Sequence, residues 1–152
     1  MGWERKIKIE APIETVWALF TEANMHRIMP QVVGHKLIST DESTNTSVYE
    51  ETYAEGNREE TYLLTEIIHL DRPEEKRKTF DFTIAKMIHS IGEFHLKMVD
   101  DRQTEFIYSG KNEGANFLGK TMLKMASNKK NEAVVESFVQ LVKLEAEKDA
   151  TK

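Results

Sequence analysis

The 152-residue sequence contains no cysteine, which excludes disulfides, thiolate metal sites and cysteine nucleophiles together. It has three prolines and seven glycines, too few for a fibrous or low-complexity chain. No window approaches the ~18 consecutive apolar residues that a membrane-spanning helix needs. Cationic charge is not in excess: 21 Lys and Arg stand against 26 Asp and Glu, a formal net charge of -5. Nucleic acid and anionic membranes are held through Lys/Arg clusters, so neither is the expected partner. The opening Met1–Lys6 lacks the apolar core of a signal peptide. Lys6 stands where an acyl-acceptor pattern on Gly2 wants Ser or Thr. These absences predict a reduced, cytoplasmic protein without stable membrane insertion, a monomer or weak dimer.

What is present is ordinary in amount, 39% hydrophobic and 31% charged, and informative in order. Ile7 and Ile9 alternate with Lys6, Lys8 and Glu10, the period of a half-buried strand. Ala11-Pro12 then changes the period. Pro12 suits the first helical position, where a missing N–H costs nothing. Ile13, Val16, Trp17 and Phe20 form one face of a short helix. Asn24 is placed to cap a second short helix presenting Met25, Ile28 and Met29, which Pro30 closes.

Strand-type segments follow over 32–40, 46–55, 58–70, 76–86, 88–99 and 102–110. The breaks between them are turn-like, such as Gly56-Asn57 and Asp71-Arg72-Pro73. Short breaks imply hairpins and an antiparallel meander. A long helical segment runs from Gly114 to about Glu147. With no linker or repeat, residues 1–148 read as one α+β domain of order β-α-α-β6-α, with 149–152 as a disordered tail. A single sheet and one long helix bury their apolar faces when the sheet curls around the helix.

The opening Ile7-Lys-Ile-Glu-Ala-Pro-Ile-Glu-Thr-Val-Trp-Ala-Leu-Phe, the mid-chain Gly92-Glu-Phe-His-Leu and the later Phe117-Leu-Gly-Lys resemble the START-related superfamily. This group includes polyketide cyclase/dehydrase-like proteins and pollen-allergen-like lipid binders. The resemblance implies a helix-grip fold, a curved antiparallel seven-stranded sheet around a long C-terminal helix. It also implies a mostly apolar pocket between the two.

Side-chain parity predicts the pocket walls. Phe80, Phe82 and Ile84 share one face of their strand; Gly92, Phe94, Leu96 and Met98 share one of theirs; Phe106 and Tyr108 share a third. For the two earlier strands the tyrosine-bearing sets carry more area to bury. Choosing them puts Tyr49 and Tyr53 inside, with Tyr62, Leu64 and Ile68. It also brings in Glu51 and Glu66, which need hydrogen-bond donors if buried. Met29 completes the wall from the second short helix.

Along the last helix, Leu118, Met122, Met125 and Ala126 form one stripe. Val134, Val135, Phe138, Leu141 and Val142 form another, nearly half a turn away at ~100° per residue. A bend is therefore expected over 127–132, with the Met-rich half at the pocket.

Other constellations carry no chemistry. His89 and His95 lie ~20 Å apart along a strand and cannot share an ion. His26, His35 and His69 are isolated, and Ser90 and Ser109 have no nucleophile elbow. Gly110, Gly114 and Gly119 make no phosphate loop. Lys120, Lys124, Lys129 and Lys130 read as a solvated face. No metal and no cofactor are expected. The leading expectation is binding of a small apolar or amphipathic molecule, a lipid, aromatic or polyketide-like compound. The alternatives are a cyclase, dehydratase or hydrolase using Glu51 or Glu66 beside a tyrosine, and an interaction or chaperone-associated domain.

Overall fold

A computed structural model describes residues 2–125 and 128–152, the side chains of residues 124–130 excepted. The elements are β1 (Gly2–Ile9), α1 (Ile13–Ala18), α2 (Met25–Ile28), β2 (Val32–Asp41), β3 (Thr46–Glu55) and β4 (Arg58–Asp71). They continue with β5 (Glu75–Ile84), β6 (Ile88–Asp100), β7 (Gln103–Gly114), α3 (Phe117–Met125) and α4 (Asn128–Ala150). All seven strands form one antiparallel sheet in the order β1-β7-β6-β5-β4-β3-β2. From β2 to β7 consecutive strands are hairpin neighbours, and β1 closes the far edge against β7.

The concave face holds the core. α4 buries Val135, Val139, Val142 and Ala146, the i, i+4, i+7, i+11 spacing of one helical face. They meet Ile9 of β1 and Ala11 just after it, Ile13, Val16 and Leu19 of the α1 segment, and Leu96 and Phe106 of the sheet. A clamp fixes the far end of α4: Arg27 pairs with Glu145 at 3.0 Å and with Asp149 at 2.8 Å.

At Gly92 an added Cβ would collide with the Phe80 ring. The glycine lets that aromatic ring lie flat across the sheet, a close approach only a missing side chain permits.

Several expectations change. Pro12 is extended (ψ 148°) and acts as the N-cap, its carbonyl accepting from Thr15 and Val16. Asn24 makes no side-chain cap; its Nδ2 donates to the Ala18 carbonyl at 2.9 Å instead, tying the two short helices together. β5 stops at Ile84, because Ala85 and Lys86 take positive φ in the turn. β7 continues past residue 110 to Gly114, paired with Ile88. α4 reaches Ala150, two residues into the segment expected to be a disordered tail.

The final helical region is two helices. Ala126, the last residue of the first apolar stripe, and Ser127, the first of the expected bend, lie outside the described residues. Leu118 and Met122 of the Met-rich half do not line the pocket. Gly119 packs against the Met87 backbone, which seats α3 beside the β5–β6 turn and leaves Leu118 and Met122 exposed. Val134, Val135, Phe138 and Leu141 of α4 line the pocket instead.

Candidate functional site

Between the concave face, α2 and α4 lies a cavity of about 850 Å³. Cross-strand register sets its walls. Leu64 of β4 pairs with Phe82, and Phe82 with Ser90. Ser90 in turn pairs with Asn112. One residue pair further along, Glu66 meets Phe80, and Phe80 meets Gly92. Since residues opposite one another share a face, these rows form a continuous inner surface. Met25 and Ile28 of α2 and the C-cap Met29 close it on one side, and Val135, Phe138 and Leu141 of α4 on the other.

The aromatic wall centres on Phe94. Its ring lies 5.1 Å from Phe80, 5.4 Å from Tyr108 and 5.8 Å from Phe138. Phe82 stacks on Tyr62 at 4.7 Å.

One polar cluster lies at the β2–β4 end, and Ser90 and Asn112 form a second polar pair on β6 and β7. His35, Glu51 and Tyr62 occupy facing positions on three adjacent strands. The Tyr62 hydroxyl donates to Glu51 Oε1 at 2.7 Å, and His35 Nδ1 lies 2.8 Å from Glu51 Oε2. Glu51 is 4% exposed, so both oxygens are partnered where water is scarce, as a buried carboxylate requires. His35 is held flat by Tyr49, whose ring stacks on it at 4.2 Å. Burial, with the Glu51 charge and its hydrogen bond, pushes the Tyr62 phenol well above its ordinary range, so it remains a donor at neutral pH.

Glu66 is held differently. Its Oε2 lies 3.3 Å from Lys78 Nζ, and that ammonium also donates to the Phe20 carbonyl at 2.8 Å. Burial pulls the Lys78 pKa down, and Glu66 opposes that pull. Lys78 sits 5.2 Å from the Trp17 ring centroid, a cation–π contact.

Of the residues expected from sequence, Met29, Glu51, Tyr53, Tyr62, Leu64, Glu66, Phe80, Phe82, Phe94 and Tyr108 line the cavity. Tyr49 backs His35 and is off the wall. Leu96 and Phe106 are fully buried in the core beneath the cavity. Met122 is solvent-exposed, and the Met125 side chain lies outside the described residues. Met98, expected inward, is 41% exposed, near a register shift between Met98 and Asp100 that ends the alternation. His35, isolated in sequence, is brought against Glu51 by the sheet, and the sequence pattern singles out neither Lys78 nor Trp3. Lys78 had a signal, since it precedes Phe80 by two on the same strand face.

Among the described residues lining the cavity, the charged or titratable side chains besides the tyrosines are His35, Glu51, Glu55 and Glu66, with no Lys or Arg. No cluster of metal-binding side chains occurs among the described residues, and no helix among them is long and apolar enough to cross a membrane.

Tyr108 carries a testable consequence of burial, which pushes its phenol above the ordinary 10.0. The native state then keeps a proton that the unfolded chain releases, so stability falls as pH rises past that value. Tyr108→Phe is expected to remove about 1.4 kcal/mol of the loss between about pH 9 and about pH 11, measured by denaturant unfolding. Lys78 contributes with opposite sign below 10.5; comparing variant with parent cancels it.

A curved sheet gripping a helix around an internal cavity is the architecture of the START-related superfamily. The chain belongs to the polyketide cyclase/dehydrase and lipid transport family, whose model matches residues 3–146. No curated protein matches it in sequence. Solved structures share its fold. A Thermus thermophilus protein, TTHA0849, is 13% identical with a TM-score of 0.71, over 96% of this chain and 97% of that one. The Zhui aromatase/cyclase from a Streptomyces species is 15% identical, TM-score 0.69, over 99% and 93%. The human StarD13 lipid transfer and protein localization domain is 10% identical, TM-score 0.69, over 95% and 76%.

Proposed function

We propose that the chain binds a small, largely apolar molecule without a negative head group, held in the cavity between sheet and α4. One observation carries this reading: an aromatic and aliphatic cavity of about 850 Å³ with a buried carboxylate on its wall, Glu51, fixed by Tyr62 and His35. Pockets of this kind take affinity from burial and orientation from a few placed polar groups. The carboxylates on the wall, with no Lys or Arg among the described lining residues, favour a neutral donor such as a hydroxyl over an anion.

Displacement of the neutral dye N-phenyl-1-naphthylamine tests this. Decanol is expected to compete at least about tenfold better than decanoate at neutral pH, because the anion meets Glu51 without a cation to pair it. Glu51→Gln is expected to narrow that gap several-fold. Failure of the dye to bind, with native mass spectrometry showing no occupancy, would overturn the reading.

A second reading rests on the Glu51–His35 contact. A carboxylate on Nδ1 fixes an imidazole in one tautomer and leaves Nε2 as the basic nitrogen, as in general-base pairs. An enzyme of the aromatase/cyclase kind would use this pair beside Tyr62. Turnover found in a substrate screen and lost in Glu51→Gln would establish it; turnover unaffected by that change would remove Glu51 from the chemistry.

A further inference from the structure

α3 sits at the mouth of the cavity with its apolar side turned to solvent. The exposed residues of the cavity wall, Pro30, Glu55, Gly56, Ala133 and Val134, mark that mouth. In the antiparallel sheet β3, β5 and β7 run the same way, so Glu55, Ile84 and Gly114 lie at one end of it. There α3 folds back onto β7, with Lys120 against Gly114 and Gly119 against the Met87 backbone of the β5–β6 turn. Asn116 fixes its start: Nδ2 donates to the Lys86 carbonyl at 3.1 Å, and Oδ1 accepts from the Gly119 N–H at 2.8 Å. With that side fixed inward, Phe117 (85% exposed), Leu118 (58%) and Met122 (47%) point outward. They share an arc of ~140° at ~100° per residue. Large apolar side chains grouped in water mark an interaction surface. Lys120 flanks the arc, exposed and without an ion pair among the described residues. Between Ala115 and Asn131 the sequence carries Lys120, Lys124, Lys129 and Lys130 and no Asp or Glu, against the acidic balance of the whole chain.

We propose that α3 docks on an anionic bilayer, with Phe117, Leu118 and Met122 entering the interfacial layer and Lys120 meeting the lipid phosphates. Apolar side chains rimmed by lysine are the pattern of a helix lying in a lipid interface. A lysine stem lies along the apolar layer while its ammonium stays among the headgroups. A protein partner fits less well. Three side chains on a helix of 9 residues fall well short of the roughly 800 Å² per partner that a stable protein interface buries. A fluid lipid surface needs no matching shape. Docking of this kind is peripheral and requires no spanning helix. Lys120, read from sequence as part of a solvated face, becomes a headgroup contact. The proposal goes beyond the binding reading and does not depend on it; where both hold, the cavity mouth is presented to the lipid surface.

Sedimentation of the full chain with vesicles tests this, using pure phosphatidylcholine against equal parts phosphatidylcholine and phosphatidylglycerol. Binding to the mixed vesicles is expected to be at least about fivefold tighter than to the neutral ones at low salt. It should weaken at about 1 M salt, where charges are screened beyond about 3 Å. Phe117→Ser is expected to lower the partition coefficient about tenfold at either salt, and Lys120→Gln about fivefold at low salt only. Leu144→Ser, at a 62% exposed position on α4, is expected to bind as the parent does. The α3 positions are exposed, so the fold is not at risk, and Leu118→Ser repeats the apolar test. No binding of the parent to mixed vesicles, or equal binding by Phe117→Ser, overturns the proposal. So does a dimer in gel filtration that Phe117→Ser dissociates without any vesicle binding, since the arc is then an interface between copies. Dye binding in the cavity is expected to be unchanged in these variants. Failure here therefore leaves the cavity reading standing, and an empty cavity leaves the docking result standing.

Discussion

Glu66→Gln is expected to destabilise the chain by about 3 kcal/mol at neutral pH, and Glu51→Gln by much less, although both carboxylates face the same cavity. The difference lies in what each holds. Glu66 is the counter-charge of Lys78, a 4% exposed lysine whose other polar contact is the Phe20 carbonyl. Removing one partner of a buried pair leaves an uncompensated charge, at a cost of about 3–5 kcal/mol. The low end applies because the introduced glutamine would still offer an amide oxygen to the ammonium. Glu51 is held by the Tyr62 hydroxyl and the His35 ring, and a glutamine amide accepts from one and donates to the other. In a chain of this length a loss of about 3 kcal/mol corresponds to about 10 °C in Tm.

The pH dependence of that loss identifies its origin. Without Glu66 the Lys78 pKa falls further below its ordinary 10.5, so the unfolded chain binds more protons and stability rises with pH toward that value. The deficit should therefore shrink between about pH 7 and about pH 9.5 in urea unfolding. The double change Glu66→Leu with Lys78→Met should restore most of it, because replacing both members of a buried pair with apolar groups of similar volume is often neutral. A deficit independent of pH, or a double variant no better than the single one, would show that the pair is not the cause. The outcome also divides the two carboxylates by role, Glu66 structural and Glu51 available to a ligand.

That division was only half legible in the sequence. Area to bury put the tyrosine-bearing faces of β3 and β4 inward, and Glu51 and Glu66 came with them, because parity on a strand is rigid. What each carboxylate touches depends on register with neighbouring strands. Lys78 follows from Phe80 and Phe82 by stepping back two residues, but a lysine among phenylalanines reads as the end of the apolar run. His35 was hidden more deeply: β2 shifts register between Val32 and Gly34 and again between Leu37 and Ser39, so simple alternation through it fails. Trp3 needed the pairing of β1 with β7, at the opposite end of the chain from it. The fold itself was readable because hairpin order and turn chemistry are local. The facing of α3 was not: Leu118 and Met122 look like a buried stripe, and only the seat of Gly119 on Met87 turns them outward.

Phe94→Ala should have the largest effect of any single wall substitution, and it separates wall from core. Phe94 is 3% exposed, within ring contact of Phe20, Phe80, Phe106, Tyr108 and Phe138. Truncating such a ring costs about 3–5 kcal/mol through lost transfer energy and a residual void. Here the void opens into the existing cavity, so part of it is available to a ligand. Phe106→Ala, at a 0% exposed position off the cavity wall, should cost as much or more with no such compensation. In thermal unfolding with apolar probes of increasing bulk, Phe94→Ala should be rescued progressively by the larger probes, since a ligand adds RT ln(1 + [L]/Kd) only where it fits. Phe106→Ala should keep the parent's size preference at a uniformly lower Tm. If both variants respond alike, the wall assigned to Phe94 is wrong and the enclosed space is a packing void rather than a site. If only Phe94→Ala changes its preference, the ring that holds the core together also sets the size of what the cavity accepts.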